Sequence, residues 1–165
     1  MFCQSCGASL KAEFSDLPIV CPHCTHRNVD LSRMVPVDGL EPVYPLEGES
    51  CPRCGSEFWA GVLDGAPIKF CKVCQGILIS HGDFGTLIRT RRADFHGREM
   101  KPKPFQPEEL KERCICPDCH QVMECYPYYG PGNAIIDSCE NCDWVWLDGS
   151  ELNCLIASPG LRPVS

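Results

Sequence analysis

The chain has 165 residues, fifteen of them cysteine, and a formal net charge of −7. This acidic balance disfavours broad, sequence-independent nucleic-acid binding, and no apolar run approaches the roughly 20 residues of a transmembrane helix. No hydrophobic signal peptide precedes Cys3. We therefore expect a reducing, cytoplasmic location, where clustered cysteines are more often metal ligands than disulfides.

The cysteines recur as three sets of two Cys-x-x-Cys pairs, with fourteen, sixteen and nineteen residues between the pairs. This spacing is typical of a zinc ribbon, in which two tight turns, the knuckles, present four thiolates and a short β-hairpin joins them. Each unit is too small to bury an adequate core alone, so metal binding supplies folding energy. The pattern predicts three Zn²⁺ ions, one per ribbon, held by Cys3, Cys6, Cys21, Cys24, Cys51, Cys54, Cys71, Cys74, Cys116, Cys119, Cys139 and Cys142.

The first predicted ribbon covers residues 1–30, with a short hairpin over 10–20. Gly7 directly follows a knuckle cysteine, where a positive φ lets backbone N–H groups point at sulfur. His23 and His26 lie beside the last pair and are alternative ligands for a mixed site. Four cysteines already in register favour the all-cysteine site.

Residues 31–50 contain three prolines, two glycines and four acidic residues, a composition that favours an extended linker. The second ribbon follows over 51–88. Asp64-Gly65 is a strong hairpin-turn dipeptide within it. Ser80 to Asp83 resembles a capping box and predicts a short helix. Its apolar face would consist of Phe84, Leu87 and Ile88.

Residues 89–113 hold eight basic residues against five acidic ones and include three prolines, so we interpret them as a basic linker. Two roles stay open for this segment: a solvated linker, or a contact arm for an acidic partner or nucleic acid. For the second role the candidate residues are Arg89, Arg91 and Arg92. Three four-thiolate zinc sites, each about −2, would deepen the charge of the whole chain to about −13.

The third predicted ribbon covers 114–160 and ends in a second short helix, which begins near Asp148-Gly149-Ser150-Glu151. Trp146 is expected in the thin core under this helix. Trp144, Tyr128 and Tyr129 are either core or an exposed aromatic patch that binds a protein or stacks on bases.

The third unit resembles the TFIIB-type zinc ribbon of the "transcription factor zinc-finger" family. That pattern runs C-P-x-C, a hairpin, C-x-x-C-x-G-x-W-L-D-x-G-E-L and a short helix. The matching residues are Cys116, Pro117, Cys119, Cys139, Cys142, Trp146, Leu147, Asp148, Glu151 and Leu152. The second unit is similar more loosely, and the first is similar only to a generic zinc ribbon. His120, Trp144 and Ser150 stand where the family usually has glycine. The resemblance implies a small zinc-binding module, and its label suggests a link to transcription without establishing one.

Three cysteines remain outside these sets. Cys125 and Cys154 suit small buried apolar positions, and a fourth metal site or a redox pair that includes Cys114 is a weaker alternative. Four-cysteine sites have no open coordination position, and no phosphate loop, nucleophile elbow or H-E-x-x-H motif occurs, so we expect no enzyme.

The sequence thus predicts a small, metal-stabilised α+β protein of three tandem zinc ribbons, the second and third each followed by a short helix. Its predicted role is a non-catalytic scaffold that binds another protein. Two alternatives stay open: a nucleic-acid-binding protein that uses 89–113 and the third-ribbon aromatics, and a rubredoxin-like iron protein for electron transfer. No membrane or small-molecule partner is indicated.

Overall fold

A computed structural model describes residues 2–3, 6–11, 19–24, 27–28, 37–101, 109–111, 113–128, 130 and 132–161. It is a small α+β structure with one seven-stranded antiparallel sheet, one two-stranded sheet and two α-helices in these parts of the chain. Neither helix is long and apolar enough to cross a membrane. We name residues 2–28 unit one, 37–101 unit two and 113–161 unit three.

Unit one contains β1 (Ile19–Val20) and β2 (Arg27–Asn28). Unit two contains β3 (Leu40–Ser50), β4 (Glu57–Leu63), β5 (Ala66–Cys71), β6 (Ile77–Ser80) and α1 (His81–Ala93). Unit three contains β7 (Glu124–Pro127), β8 (Ile135–Cys139), β9 (Trp144–Leu147) and α2 (Glu151–Ala157). A 3-10 turn covers Glu109–Lys111. Most of the hairpin predicted over 10–20 lies outside the described residues.

The two large units join edge to edge at the centre of one sheet, whose strand order is β3-β4-β5-β6-β9-β8-β7. Leu78 of β6 pairs with Trp146 of β9, and each lies four residues after the last knuckle cysteine of its unit. On either side Ile77 pairs with Leu147 and Ile79 with Val145, so a pseudo-two-fold axis through the Leu78–Trp146 pair exchanges the two flanking pairs.

The sheet carries a different apolar cluster on each face, because successive strand residues point to opposite faces. On one face Ile77, Ile79, Val145 and Leu147 form a buried cluster with residues of both helices. On the other face Leu78 and Trp146 pack with Phe58, Met123 and five buried knuckle cysteines. Trp146 is fully buried, as predicted, but it lies on the cysteine side of the sheet and not under helix α2, because its neighbours Val145 and Leu147 take the helix side. Both large units therefore contribute to both layers of one core.

Residues 40–50, predicted as part of an extended linker, form the edge strand β3, which pairs with β4. Pro42 and Pro45 lie in this strand, and its register shifts beside Pro42. Proline is tolerated in an edge strand because one side of such a strand has no neighbour to receive an N–H bond. Proline also hinders addition of a further strand there.

Helix α1 begins after Ser80, whose hydroxyl oxygen accepts a hydrogen bond from the Asp83 amide at 3.1 Å. The helix continues to Ala93, five residues beyond the limit predicted for the second ribbon. The extension has a physical reason: Arg92, in the last turn, is buried and donates to main-chain carbonyls at the end of α2. Part of the predicted basic linker is therefore helix.

Candidate metal centres

The turns that carry the cysteines share one backbone conformation. In each of the five knuckles whose following residue is described, that residue has a positive φ between 58° and 75°. Such a conformation lets the chain fold back on itself. In the first Cys-x-x-Cys pair of each unit, the backbone N–H of the residue after the second cysteine donates to the carbonyl of the first cysteine. Gly7 behaves as predicted. The five residues are Gly7, Gly55, Gln75, His120 and Asp143.

These turns bring the predicted ligands together in three groups of four, each with all Sγ atoms within 4.8 Å of one another. The sulfurs of Cys3 and Cys24 are 3.5 Å apart, and those of Cys54 and Cys71 are also 3.5 Å apart. A disulfide bond is about 2.05 Å long, whereas sulfurs at the corners of a tetrahedral zinc site lie about 3.8 Å apart. No disulfide bond joins any of the fifteen cysteines, so the three groups could each hold a metal ion.

The donor chemistry of these groups fits a soft divalent cation. In the group of unit two, Cys51 is hydrogen-bonded to two other thiols. Its hydrogen bond with Cys54 lowers the pKa of Cys54, and its hydrogen bond with Cys74 raises the pKa of Cys74. Four thiolates so close together repel one another, and a bound cation removes that repulsion. Zinc is the ion most often held by four cysteine sulfurs, and iron accepts the same donors.

The three groups differ in their surroundings. In unit two three of the four cysteines are buried, and in unit three two are buried and two are half-buried. In unit one Cys6 is exposed, and the described residues that share an apolar cluster with its cysteines are Leu10 and Ala8. The first group thus has its own small cluster, whereas the other two share the larger one beneath Trp146.

The aromatic residues predicted to bind a partner do not form one patch. Trp144 is half-buried on the cysteine side, where its indole N–H donates to Asp118 at 2.7 Å. Tyr128 packs edge-to-face on Phe84 with ring centroids 5.3 Å apart, on the helix side. Tyr129 lies outside the described residues. The sheet separates Trp144 from Tyr128.

Two of the three predicted contact arginines have partners within the chain. Arg91 donates from Nε and Nη2 to the carboxylate of Asp64, and its guanidinium lowers the pKa of that carboxyl. Arg92 is 3% exposed and donates to the carbonyls of Leu155 and Ser158. Of the three arginines, only Arg89 is exposed.

Sequence reasoning missed a buried charged cluster around Arg53, the residue between two ligands of unit two. Its guanidinium is 2.8 Å from the Asp148 carboxylate and 3.1 Å from that of Asp137, both in unit three. Burial alone would lower the pKa of Arg53, but the charge of Asp148 and its neighbours raises it. Burial also raises the pKa of Asp137. A charged knuckle residue is ordinarily exposed to solvent, so no sequence pattern indicated this cluster.

The equivalent contact in the opposite direction joins Asp118, between two ligands of unit three, to Lys69 of unit two at 2.6 Å. Arg53 and Asp118 occupy the same position in the first knuckle of their units. Their partners Asp137 and Lys69 each lie two residues before the third cysteine. The two contacts are therefore related by the pseudo-two-fold axis, but their charges are exchanged.

The leftover cysteines lie near this cluster and in α2. Cys114 is fully buried, and its amide donates to the Asp137 carboxylate at 3.3 Å. Cys125 and Cys154 are half-buried. Among the described residues, none of the three belongs to a group that could hold a metal ion.

A cavity of about 980 Å³ opens on the helix side, between the end of α1, α2 and the segment that follows α1. Part of its wall is apolar, and Met100 there is 46% exposed. Its charged residues include the Arg91–Asp64 pair and Arg98. The apolar lining consists of Phe95, Met100, Ile156 and Ala157.

Comparison of the chain with known proteins identifies no similar protein. No family model matches the chain, and searches of the curated proteins and of the solved structures also find no match. The zinc-ribbon resemblance therefore stays a prediction.

Proposed function

We propose that the chain is a zinc-binding, non-catalytic scaffold that binds another protein. The observation that carries the metal part is the convergence of twelve thiols into three groups of four. Four sulfurs complete a tetrahedral coordination sphere, which leaves no position for a substrate or a reactive water. For this reason the proposal assigns the metals a structural role, as zinc ribbons.

The metal part is tested by metal analysis of the chain purified under reducing conditions without added metal. Three equivalents of zinc per chain support the proposal. Iron in the same sites would produce a visible absorption band and would favour the electron-transfer alternative instead. Absence of any bound metal in reduced, folded protein would refute the metal part.

The partner-binding part rests on the helix-side cavity. Its volume of about 980 Å³ and its apolar wall, which includes the exposed Met100, are suited to side chains of another protein. The resemblance to transcription-type ribbons favours a partner from the transcription apparatus. Arg89 and the exposed basic residues beyond α1 keep nucleic acid as the alternative partner.

The test is a pull-down from nuclease-treated and untreated lysates with three proteins: wild type, Met100→Glu at the cavity and Val43→Glu on the exposed edge strand. Both substitutions add the same charge at an exposed apolar side chain. We expect wild type and Val43→Glu to retain one partner protein in stoichiometric amount, with or without nuclease treatment. Met100→Glu should lose this partner. Loss of all bound material on nuclease treatment would favour the nucleic-acid alternative and contradict the proposal.

A further inference from the structure

Two reciprocal contacts connect the candidate metal site of unit two with that of unit three. Arg53 stands between ligands Cys51 and Cys54 and reaches into unit three. In the opposite direction, Asp118 stands between Cys116 and Cys119 and accepts a hydrogen bond from Lys69 of unit two. Each contact therefore begins inside a ligand-bearing knuckle of one unit and ends in the other unit.

The other ends of both contacts lie just before a ligand. Asp137 and Lys69 are each two residues from the third cysteine of their site, Cys139 and Cys71 respectively. Arg53 and Asp137 have side chains only 5% and 2% exposed, so their separation would leave the buried Asp137 carboxylate without its cation. Lys69 and Asp118 are 17% and 34% exposed. The first contact is the stronger connection because water cannot replace it.

We propose that Arg53 and Asp118 couple the metal sites of units two and three, so that the two sites fill and empty as one cooperative pair while the site of unit one fills independently. This inference rests on the proposed metal binding. Arg53 and Asp118 are positioning residues, because each acts through the conformation of the knuckle that contains it.

The coupling follows from the knuckle geometry. Without metal, a site loses the ion that holds its two turns together, and the knuckle is free to leave its positive-φ conformation. In unit two that change displaces Arg53 and leaves Asp137 and Asp148 of unit three without their cation. Unit three must then rearrange or accept buried, unpaired carboxylates, and either change weakens its own metal site. The coupling is reciprocal by thermodynamic necessity.

The pairing of β6 with β9 is a second connection between the same units, so the experiment must separate the two. Asp118→Asn removes one charge of the exposed contact and leaves the strand pairing intact. Asp64→Asn is the matched control, because it removes one charge of a similarly exposed ion pair, with Arg91, that lies within unit two.

The coupling test is a Co²⁺ titration of the reduced, metal-free full chain, followed by thiolate–cobalt absorption and by native mass spectrometry. Cys142→Ser, which removes a ligand in unit three, should weaken Co²⁺ binding at the site of unit two by about 5- to 150-fold. Cys24→Ser removes a ligand in unit one and should leave the other two sites unchanged. Equal binding at the site of unit two in wild type and Cys142→Ser would overturn the coupling.

The role of the two residues is tested by the populations of partly filled species. Wild type should pass from an empty pair to a filled pair without accumulating the species in which only one site of the pair is filled. Asp118→Asn, and more strongly Arg53→Met, should accumulate it, whereas Asp64→Asn should not. Unchanged populations in Asp118→Asn and Arg53→Met would overturn their assignment as coupling residues. Three independent sites would refute only this inference, while no Co²⁺ binding at any site would refute the proposed function as well.

Discussion

Unit one and the joined units two and three use the same four-cysteine arrangement in different surroundings. In unit one the site is supported by a two-stranded sheet and a small cluster that includes Leu10. In the joined units two sites share one seven-stranded sheet and lie against one cluster centred on Trp146. The comparison shows that a small four-cysteine unit can have a core of its own or combine with a second copy of its pattern into a larger core.

The pairing within the joined units also explains why they remain distinct from one another. At equivalent positions unit two has a basic knuckle residue and a basic strand residue, Arg53 and Lys69, where unit three has the acidic Asp118 and Asp137. Pairing of unit two with another copy of itself would bring like charges together at both contacts. The exchanged charges thus favour pairing between the two different units.

The largest expected effect comes from removing a metal ligand in the joined units and comparing the result with the same change in unit one. Cys139→Ser deletes a ligand of unit three and should unfold that unit and destabilise unit two, because a structural zinc contributes about 10–16 kcal/mol of apparent binding energy to the unit that holds it. Tryptophan fluorescence measures this directly, since all three tryptophans lie in these two units. Cys24→Ser, the control in unit one, should leave the signal unchanged. A native tryptophan signal in Cys139→Ser would contradict the account.

The next effect targets the packing between the two units. A Cβ atom on Gly76 would lie 2.2 Å from Cζ2 of Trp146, so Gly76→Ala should lower the free energy of unfolding by about 3 kcal/mol. Gly85→Ala in α1 is the matched control. Its Cβ meets nothing within 4 Å, and it should raise that free energy by about 0.5–1 kcal/mol. Urea unfolding measures both, and equal values for the two variants would refute the close approach.

A smaller effect compares equivalent knuckle positions in the two joined units. Gly55 has φ 75° and His120 has φ 58°, and each follows the second cysteine of its unit. His120→Gly should raise the free energy of unfolding by about 1 kcal/mol, and Gly55→Ala should lower it by a similar amount, because a Cβ is disfavoured at positive φ. Thermal unfolding of the metal-loaded proteins measures the two signs. The same sign for both would contradict the shared knuckle conformation.

The smallest effect concerns a contact within unit two. Asp64→Asn removes the ion pair with Arg91, which is partly exposed, and should lower the free energy of unfolding by less than about 1 kcal/mol. The loss should shrink further in concentrated salt, because solvent ions screen exposed charges. Urea unfolding at low and high salt measures it. A loss that stays constant with salt would indicate packing of the side chains as its source.

The sequence was most informative where the structure depends on neighbours in the chain. The Cys-x-x-Cys spacing predicted all three groups, the positive φ of Gly7 followed from its place after a knuckle, and Asp64-Gly65 forms the turn between β4 and β5. Each of these features is set by a few consecutive residues.

The contacts between units could not be predicted because no local pattern encodes them. Pro42 and Pro45 indicated a linker, yet an edge strand accepts proline, so β3 was missed. The length of a hairpin does not show which other hairpin it pairs with, so the joining of β6 and β9 was also missed. A charged knuckle residue is ordinarily exposed, and only the position of unit three shows that Arg53 is buried.

The central claim is that twelve cysteines form three metal sites, and native mass spectrometry of the reduced full-length chain tests it most directly. The account predicts one dominant species with three zinc ions and fifteen cysteines free of disulfide bonds. A folded chain without metal, or one whose mass shows that the knuckle cysteines are joined as disulfides, would contradict it.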